Sequence, residues 1–220
     1  MSSYIKHDNI KTERSVLKEG VKYMNIPNAR ERILKAAIKV FAEKSFEGSR
    51  IEEIAREANV PKSLIYYHFK SKNEIFEVLT TDFINEYKSI LATIPNQTHQ
   101  EKAEELPDRM KNVYYEFGVR NADLVRVIFI DSLKKSKEEP ILFKILDAII
   151  EKEAESFSTE SYDIQERRIA EFFTSFIPNY AYFCFAESWT KYFNIDSDQF
   201  NKQYLKVYKE THGEYHKNHQ

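Results

Sequence analysis

Apolar residues recur at helical spacing along most of this chain, and polar residues fill the positions between them. The clearest example lies between residues 51 and 72, where two short amphipathic patterns follow each other closely. The second pattern pairs Ile65 with Phe69 at i, i+4. The first uses the i, i+3, i+4, i+7 spacing of one helix face, at Ile51, Ile54, Ala55 and Ala58. Two short helices this close together predict a helix-turn-helix.

The residues around the turn suit this interpretation. Asn59 tolerates the left-handed φ that ends a helix, and Pro61 suits the first position of the next helix, where its missing N–H has no intrahelical partner. Ser49 stands just before the first helix and can cap it. The second helix leaves polar side chains for an outside surface, namely Lys62, Ser63, Tyr67 and His68. A helix with such donors can enter the major groove of DNA.

This part of the chain resembles the tetracycline-repressor (TetR) family of bacterial regulators. The pattern AxxxxVxxxxIYYHFxSKxEIF is preceded by ILxAAxxVFAEKxFxG, and the resemblance spans Ala29 to Leu79. It implies an all-α protein with an N-terminal three-helix DNA-binding domain and a C-terminal helical domain that binds a ligand and dimerises. The chain departs from the family at Ser45, Asn59 and Ser63, which replace common glycines, and at Leu64, which replaces a small polar residue. The last two bear on the operator sequence rather than on the fold.

The resemblance also implies which residues meet DNA. In the family, the positions that match Tyr66, Tyr67, His68 and Lys72 hold the DNA backbone or brace the recognition helix. The full predicted DNA-binding set is Ser49, Arg50, Lys62, Ser63, Leu64, Tyr66, Tyr67, His68 and Lys72. The alternative is a helix-turn-helix that serves only packing or a protein partner. A catalytic or metal role for His68 and Lys72 is rejected, because no Cys, Asp or second His in the segment completes a ligand set.

Charge is distributed unevenly along the chain. The formal net charge is −2, but residues 1–73 hold 15 Lys and Arg against 9 Asp and Glu, a balance of +6. Residues 74–220 hold 18 against 26, a balance of −8. A basic end on an acidic body favours electrostatic steering to DNA, although uneven surface charge alone would look the same. The asymmetry favours a regulator over a helical protein-interaction or structural module, and the lack of a catalytic motif argues against an enzyme.

Composition agrees with a helical, cytoplasmic protein. The chain has only 4 glycines and 6 prolines, and its 42% hydrophobic residues can form a substantial core. The single cysteine, Cys184, excludes an internal disulfide framework, and the sequence opens without a charged-then-apolar leader. No membrane span is expected, because Glu171 and Pro178 interrupt an aromatic run that is already too short.

We expect three parts: an arm at 1–27, the helix-turn-helix domain at 28–73 and a regulatory and dimerisation domain at 74–220. The arm has three interpretations, a flexible tail, an extra amphipathic helix or a basic arm that reaches a groove, and Met24 is an alternative start. Gly48 is expected to take a positive φ after a supporting first helix. A polar linker is expected at 96–105. About nine helices are predicted, at 29–44, 51–58, 62–69, 73–94, 107–118, 122–136, 141–157, 164–193 and 197–213.

Residues 172–193 are aromatic at ten of twenty-two positions. Ordinary core, a dimer face and a lined cavity each explain part of this density, and Pro178 is expected to kink the helix and open space. We expect no cofactor. We expect a small, largely apolar effector, with Tyr180 as the polar group that orients it. The expected wall is Phe129, Phe173, Phe176, Tyr180, Phe183 and Trp189.

The resemblance implies a homodimer that represses transcription by binding a near-palindromic double-stranded DNA operator, and the last two helices are its expected interface. No metal site is expected. His212 and His216 have the one metal-like spacing, i, i+4, but they lie in a segment expected to fray, so adventitious binding is the favoured interpretation.

Overall fold

The computed structural model describes residues 28–93, 115–135, 138–154 and 163–218. All regular structure within these ranges is helical, which confirms the predicted class. The first seven helices are α1 (Ala29–Gly48), α2 (Ile51–Glu57), α3 (Lys62–His68), α4 (Lys72–Ala92), α5 (Tyr115–Arg120), α6 (Ala122–Lys134) and α7 (Ile141–Ala154). The predictions for the arm at 1–27, the linker at 96–105 and the start of the fifth helix at 107–114 lie outside the described residues.

The last two helices are each continuous runs of three segments. α8 consists of Ile164–Ala170, Glu171–Phe176 and Ile177–Phe193, and α9 consists of Ser197–Tyr208, Lys209–Gly213 and Glu214–Asn218. The middle segment of each is π-helical, which widens the helix by one residue in a turn. Counted this way, the described residues form nine helices, as predicted.

The helix-turn-helix forms as the apolar spacing predicts. Ile54, Ile65 and Phe69 are buried, so both short helices turn their apolar faces toward α1 and α4. Asn59 has a φ of 52°, which confirms the predicted left-handed residue in the turn. Its backbone amide donates to the Arg56 carbonyl at 3.2 Å and closes the end of α2. The local sequence therefore determines this unit.

The end of α1 differs from the prediction. Ser45, not Gly48, takes the positive φ, at φ 62° and ψ 164°, and it interrupts the helical dihedrals of α1. The prediction for Gly48 is wrong, because the reversal of the chain comes three residues earlier. This backbone conformation is almost restricted to glycine, so Ser45 holds a strained position.

One buried apolar cluster runs from α1 to α8 and crosses the predicted boundary at residue 73. α1 packs directly on α6. Lys134 at the end of α6 lies 2.9 Å from a Glu47 carboxylate oxygen and donates to the Ser45 hydroxyl at 3.2 Å. The body of the molecule therefore contacts the helix-turn-helix unit through α6 as well as through α4.

Pro178 does not interrupt α8. The π-helical segment directly before it carries the hydrogen bond from the Ile177 amide to the Phe172 carbonyl, and the chain remains helical through Phe193. In a regular α-helix, proline lacks the N–H for the i→i−4 hydrogen bond, and its ring clashes with the carbonyl of residue i−4. The wider π turn leaves room for the ring. The helix therefore continues past Pro178 with a π turn directly before it.

The end of the chain is more ordered than expected. α9 continues past residue 213 to Asn218, and both His212 and His216 are buried against α8. The prediction that this segment frays is wrong, because these two side chains find polar partners inside the molecule. Among the described residues, no helix is long and apolar enough to cross a membrane.

Candidate nucleic-acid interface

The position of α3 is fixed from one side only. Ile65 is fully buried and Phe69 is 2% exposed, and the Arg30 guanidinium lies 5.5 Å from the centre of the Phe69 ring. On the opposite side, Tyr66 and Tyr67 are 50% and 56% exposed. Large aromatic side chains with hydroxyl donors on a helix surface are suited to contact a partner. The helix therefore presents a donor-rich face on a rigid base.

The exposed face begins at the N-terminal end of α3. Lys62 and Ser63 are exposed there, and the Lys62 ammonium pairs with the Glu52 carboxylate of α2. This hydrogen bond raises the pKa of Lys62. The same ammonium lies 5.6 Å from the centre of the Tyr66 ring. Glu52 is a residue that sequence reasoning missed, since no spacing rule links residues on either side of a turn.

Leu64 and His68 lie at the edge of this face and are partly buried. The His68 ring meets the edge of the Tyr67 ring, with centroids 5.1 Å apart. His68 thus packs beside the exposed Tyr67 ring, whereas Leu64 contributes a partly exposed apolar side chain.

Ser49 and Arg50 have different roles from each other. Ser49 is 3% exposed and its hydroxyl donates to the Phe46 carbonyl at 2.7 Å, so its side chain is turned inward. The prediction that it caps α2 is therefore wrong, whereas the predicted DNA contact of Ser49 stays a prediction. Arg50 is the N-cap residue, and its backbone amide donates to the Glu53 carboxylate at 3.0 Å. Its own side chain remains exposed at the start of α2.

Lys72 acts inside the domain. Its ammonium donates to the carbonyls of Phe46, Ser49 and Glu47 at 2.5, 3.0 and 3.4 Å. It also lies 4.5 Å from the centre of the Phe46 ring. Desolvation lowers the pKa of Lys72, and only the nearby Glu47 opposes this. These contacts tie the end of α1 and the α1–α2 connection to the start of α4, and a contact between Lys72 and DNA stays a prediction.

Several basic side chains near the helix-turn-helix are already paired with acidic ones. Lys39 pairs with Glu57 at 2.7 Å, and Lys44 pairs with Glu53. These exposed pairs are weak and exchange readily with other partners. A phosphate that contacted Lys39 or Lys44 would therefore have to displace the carboxylate that is paired with that lysine.

The six aromatic residues of the expected effector wall are not brought together as one surface. Phe176 and Tyr180 are buried and stack with centroids 6.1 Å apart, and Phe129 lies 6.2 Å from Tyr180 on the inner side. By contrast, Phe173 is 65% exposed and Trp189 is 49% exposed. The first three belong to the core, whereas the last two face outward.

Phe183 packs against α5. A Cβ atom on Gly118 would lie 2.0 Å from the Phe183 ring, so the absence of a side chain there permits the contact. A cleft of about 250 Å³ opens beside Phe183, between α5, α8 and the start of α9. Tyr115, Tyr182 and Phe200 also line it. Only Phe183 of the six expected residues touches this cleft.

Comparisons with known proteins agree with the interpretation of the N-terminal unit. The family of bacterial regulatory proteins named tetR matches residues 33–79. The HTH-type transcriptional repressor NicS of Pseudomonas putida is 44% identical over 59 residues, which cover 27% of this chain and 28% of that protein. The biofilm operon icaADBC negative transcriptional regulator IcaR of Staphylococcus aureus is 40% identical over 48 residues, 22% of this chain and 26% of that protein. The matched part thus spans about a quarter of each relative's length.

Solved structures extend the similarity of fold to the rest of the chain. A TetR-like transcriptional regulator from Rhodococcus sp. RHA1 aligns with a TM-score of 0.56 at 16% identity, over 84% of this chain and 96% of that one. FadR from Bacillus subtilis, solved in complex with stearoyl-CoA, aligns with a TM-score of 0.50 at 18% identity, over 81% and 96%. Such identities support the fold alone. The N-terminal unit therefore matches the tetR family of bacterial regulatory proteins over residues 33–79, and the chain shares the fold of a solved TetR-like regulator.

Proposed function

We propose that this protein is a cytoplasmic, dimeric transcriptional repressor, not an enzyme, and that α3 reads an operator in the major groove. The observation that carries this proposal is the two-sided character of α3. Its apolar side is anchored by Ile65 and Phe69, while Lys62, Ser63 and the two tyrosines are exposed. The major groove accepts one helix of this kind, with its N-terminal residues near the base edges.

Within this face we assign different roles to the two ends. Lys62 and Ser63 lie at the N-terminal end and are proposed to approach base edges. The hydroxyls of Tyr66 and Tyr67 are proposed to donate to phosphates, which hold the helix in register without reading sequence. Arg50, at the start of α2, is proposed to add a phosphate contact.

Substitutions of Lys62 and of its partner Glu52 should change the affinity for DNA in opposite directions. Glu52→Gln removes the competing carboxylate and should tighten binding to a duplex, whereas Lys62→Gln should weaken it and reduce the slope of log K against log salt by about one. Fluorescence anisotropy with a labelled duplex over a salt series measures both. The matched control is Asp123→Asn and Arg126→Gln, an exposed pair on α6.

If Glu52→Gln and Lys62→Gln changed the affinity for the duplex equally, or no more than the control substitutions do, α3 would not be part of the DNA interface. Circular dichroism and thermal unfolding of each variant show whether a weaker affinity reflects lost structure instead.

Dimerisation is proposed to use the outer face of α8 with α9. Large apolar residues are exposed there at helical spacing, which a monomer in water rarely tolerates in such number: Ile169, Phe173, Phe185, Trp189, Tyr192, Phe193 and Val207. A symmetric dimer would bury this surface and place two copies of α3 at a fixed distance.

We also propose that a small, largely apolar effector enters the body near Tyr180. The Tyr180 hydroxyl is buried and has no hydrogen-bond partner among the described residues. Burial raises the pKa of Tyr180, so the hydroxyl keeps its proton and remains a donor. A buried polar group without a partner is costly, and an acceptor on a ligand would satisfy it. The adjacent rings of Phe129 and Phe176 supply the apolar surroundings.

The effector test uses Tyr180→Phe and operator linkage. A screen of small apolar compounds by thermal shift identifies binders, and calorimetry then measures affinity with and without operator DNA. A true effector binds less tightly to the DNA complex by the same factor by which it weakens DNA binding, because coupling is reciprocal. Tyr180→Phe should lower effector affinity about tenfold, the value of one lost hydrogen bond. A compound that binds equally with and without DNA is not the effector.

A further inference from the structure

A polar cluster lies between the π-helical segments of α8 and α9. Glu171 begins the segment Glu171–Phe176, His212 lies in Lys209–Gly213, and His216 follows four residues later. These three residues are only 6%, 2% and 7% exposed. One ligand atom from each lies within 4.8 Å of the others. Two imidazoles and a carboxylate thus meet in a place shielded from solvent.

The distances between the donor atoms fit one small cation. His212 Nε2 and His216 Nε2 are 3.0 Å apart. His216 Nε2 lies 3.3 Å from Glu171 Oε1, and His212 Nε2 lies 3.6 Å from Glu171 Oε2. Tetrahedral Zn²⁺ holds nitrogen and oxygen ligands at about 2.0–2.1 Å, which places them about 3.3–3.4 Å from one another. The three donors already stand at nearly this separation.

An outer hydrogen bond orients His212 toward the centre of the cluster. The Thr174 hydroxyl donates its proton to the Ala170 carbonyl at 2.6 Å, so its oxygen can accept from His212 Nδ1 at 2.9 Å. This arrangement assigns the imidazole proton to Nδ1 and directs the lone pair of Nε2 inward, as in metal-binding histidines. Burial lowers the pKa of His212 to about 4, which keeps the ring neutral.

Arg167 occupies another side of the cluster. Its Nη1 lies 2.9 Å from His216 Nδ1, and its Nη2 lies 2.9 Å from Glu171 Oε1. Because a guanidinium only donates, His216 accepts at Nδ1 and carries its own proton on Nε2, toward His212 Nε2. Burial alone would raise the pKa of Glu171, but the charge of Arg167 holds it well below its ordinary value, so the carboxylate is ionised.

This hydrogen-bond pattern shows what a cation would have to displace. The proton between the two Nε2 atoms stands where the cation would bind. For His216 to coordinate through Nε2, its proton must move to Nδ1, and Arg167 must release that nitrogen while it keeps its ion pair with Glu171. Arg167 therefore competes with the cation, both through this hydrogen bond and through its charge.

We propose that Glu171, His212 and His216 bind one divalent transition-metal ion of the zinc class, with water completing the coordination. Imidazole and carboxylate ligands suit Zn²⁺, Co²⁺ and Ni²⁺. π-helical turns occur frequently at functional sites, and both ligand-bearing helices contain one here. The ion would join the end of α9 to α8, whose outer face is the proposed dimer surface. The metal proposal does not rest on the proposed DNA binding, so its test involves no DNA.

The test uses the full chain without a histidine tag, after treatment with a chelator. Co²⁺ is titrated as a spectroscopic probe, because its visible absorption distinguishes tetrahedral nitrogen and oxygen coordination from the hydrated ion. Zn²⁺ is then measured by competition with a chromophoric chelator. We expect one ion per chain, a tetrahedral Co²⁺ spectrum and a higher thermal unfolding midpoint with metal.

Variants separate this site from adventitious binding. His212→Gln and His216→Gln should each abolish the Co²⁺ spectrum, whereas the control His99→Gln, which removes a histidine elsewhere in the chain, should leave it intact. Thr174→Val removes the outer acceptor of His212 and should weaken binding about tenfold or more. Arg167→Gln removes the competing cation and should tighten binding.

Two outcomes would overturn the proposal. They are the absence of a tetrahedral Co²⁺ spectrum in the parent protein, and equal binding by the parent and the His212→Gln, His216→Gln double variant. In either case the cluster is a hydrogen-bond network that only stabilises the fold. Weaker binding in a folded Arg167→Gln variant would instead contradict the competition between Arg167 and the cation. Circular dichroism without metal establishes whether each variant is folded. If Arg167→Gln does not fold, Thr174→Val still tests the proposal, because it removes the outer acceptor of His212 and leaves all three metal ligands in place.

Discussion

The α3 region and the α8–α9 region place polar and apolar side chains in opposite ways. Around α3, Ile65 and Phe69 are buried and polar donors face outward. Along α8 and α9, Glu171 and two histidines are buried while aromatic rings such as Tyr192, at 83% exposed, face outward. The first arrangement is complete in a single chain. The second makes physical sense only if another surface covers the rings, which is why we assign recognition to α3 and assembly to α8 with α9.

The largest expected effect is dissociation of the dimer when charges are placed on the outer face of α8. Phe173→Glu with Phe185→Glu places two charges per chain in the proposed dimer surface, and each appears twice in a symmetric dimer. The cost should be about 4 kcal/mol or more, enough to give monomers at micromolar concentration. Sedimentation velocity measures this. Val119→Glu, an equally exposed apolar position on α5, should leave the dimer unchanged, and a monomeric parent protein would contradict the assignment.

A second effect concerns the packing that holds α8 in place. Gly118→Ala should destabilise the protein by about 1–3 kcal/mol, because the added methyl group meets the Phe183 ring. Urea unfolding measures the change in free energy. Adding Phe183→Leu should recover part of the loss, and strictly additive effects of the two substitutions would show that the contact is not as close as described.

A third, smaller effect tests whether Lys72 belongs to the structure or to the interface. Lys72→Met should lower the free energy of unfolding by about 2 kcal/mol, since hydrogen bonds to a charged group are lost from three carbonyls. Lys70→Met, at an exposed neighbour, should change it by less than about 0.5 kcal/mol. If Lys72→Met weakened DNA binding without changing stability, Lys72 would be a phosphate contact instead.

The smallest effect concerns the strained residue at the end of α1. Ser45→Gly should stabilise the protein by about 1 kcal/mol, because glycine adopts the observed φ and ψ without strain. Ser63→Gly, within α3, should have the opposite effect and lower the free energy of unfolding by about 0.5 kcal/mol. Thermal unfolding of both variants compares them, and a destabilised Ser45→Gly variant would refute the strain.

Local spacing was sufficient to predict the α3 region. Ile65, Phe69 and Asn59 behave as their positions indicate, because each depends on neighbours a few residues away. Lys72 was harder, since its partners lie 23 to 26 residues earlier in the chain and sequence spacing does not specify such contacts. Ser49 was misassigned although its partner Phe46 is only three residues away, because its hydroxyl bonds back to α1 instead of capping α2.

The α8–α9 region was predicted less well for the same reason. His212 and His216 had a visible i, i+4 spacing, but Glu171 and Arg167 lie about forty residues earlier, and only the packing of α9 on α8 brings them together. The density of aromatic residues was evident, yet its division into buried Tyr180 and exposed Trp189 depended on which helix face meets the core.

Selection of duplexes from a random library shows whether α3 reads DNA. We expect the parent protein to enrich a near-palindromic sequence with half-sites about one helical turn or a multiple apart, and we expect binding to fall steeply with salt. Ser63→Ala should change the preferred bases, whereas Tyr67→Phe should weaken binding to all sequences alike. If the library showed no enrichment and duplex binding did not respond to salt, α3 would not be a DNA-reading helix.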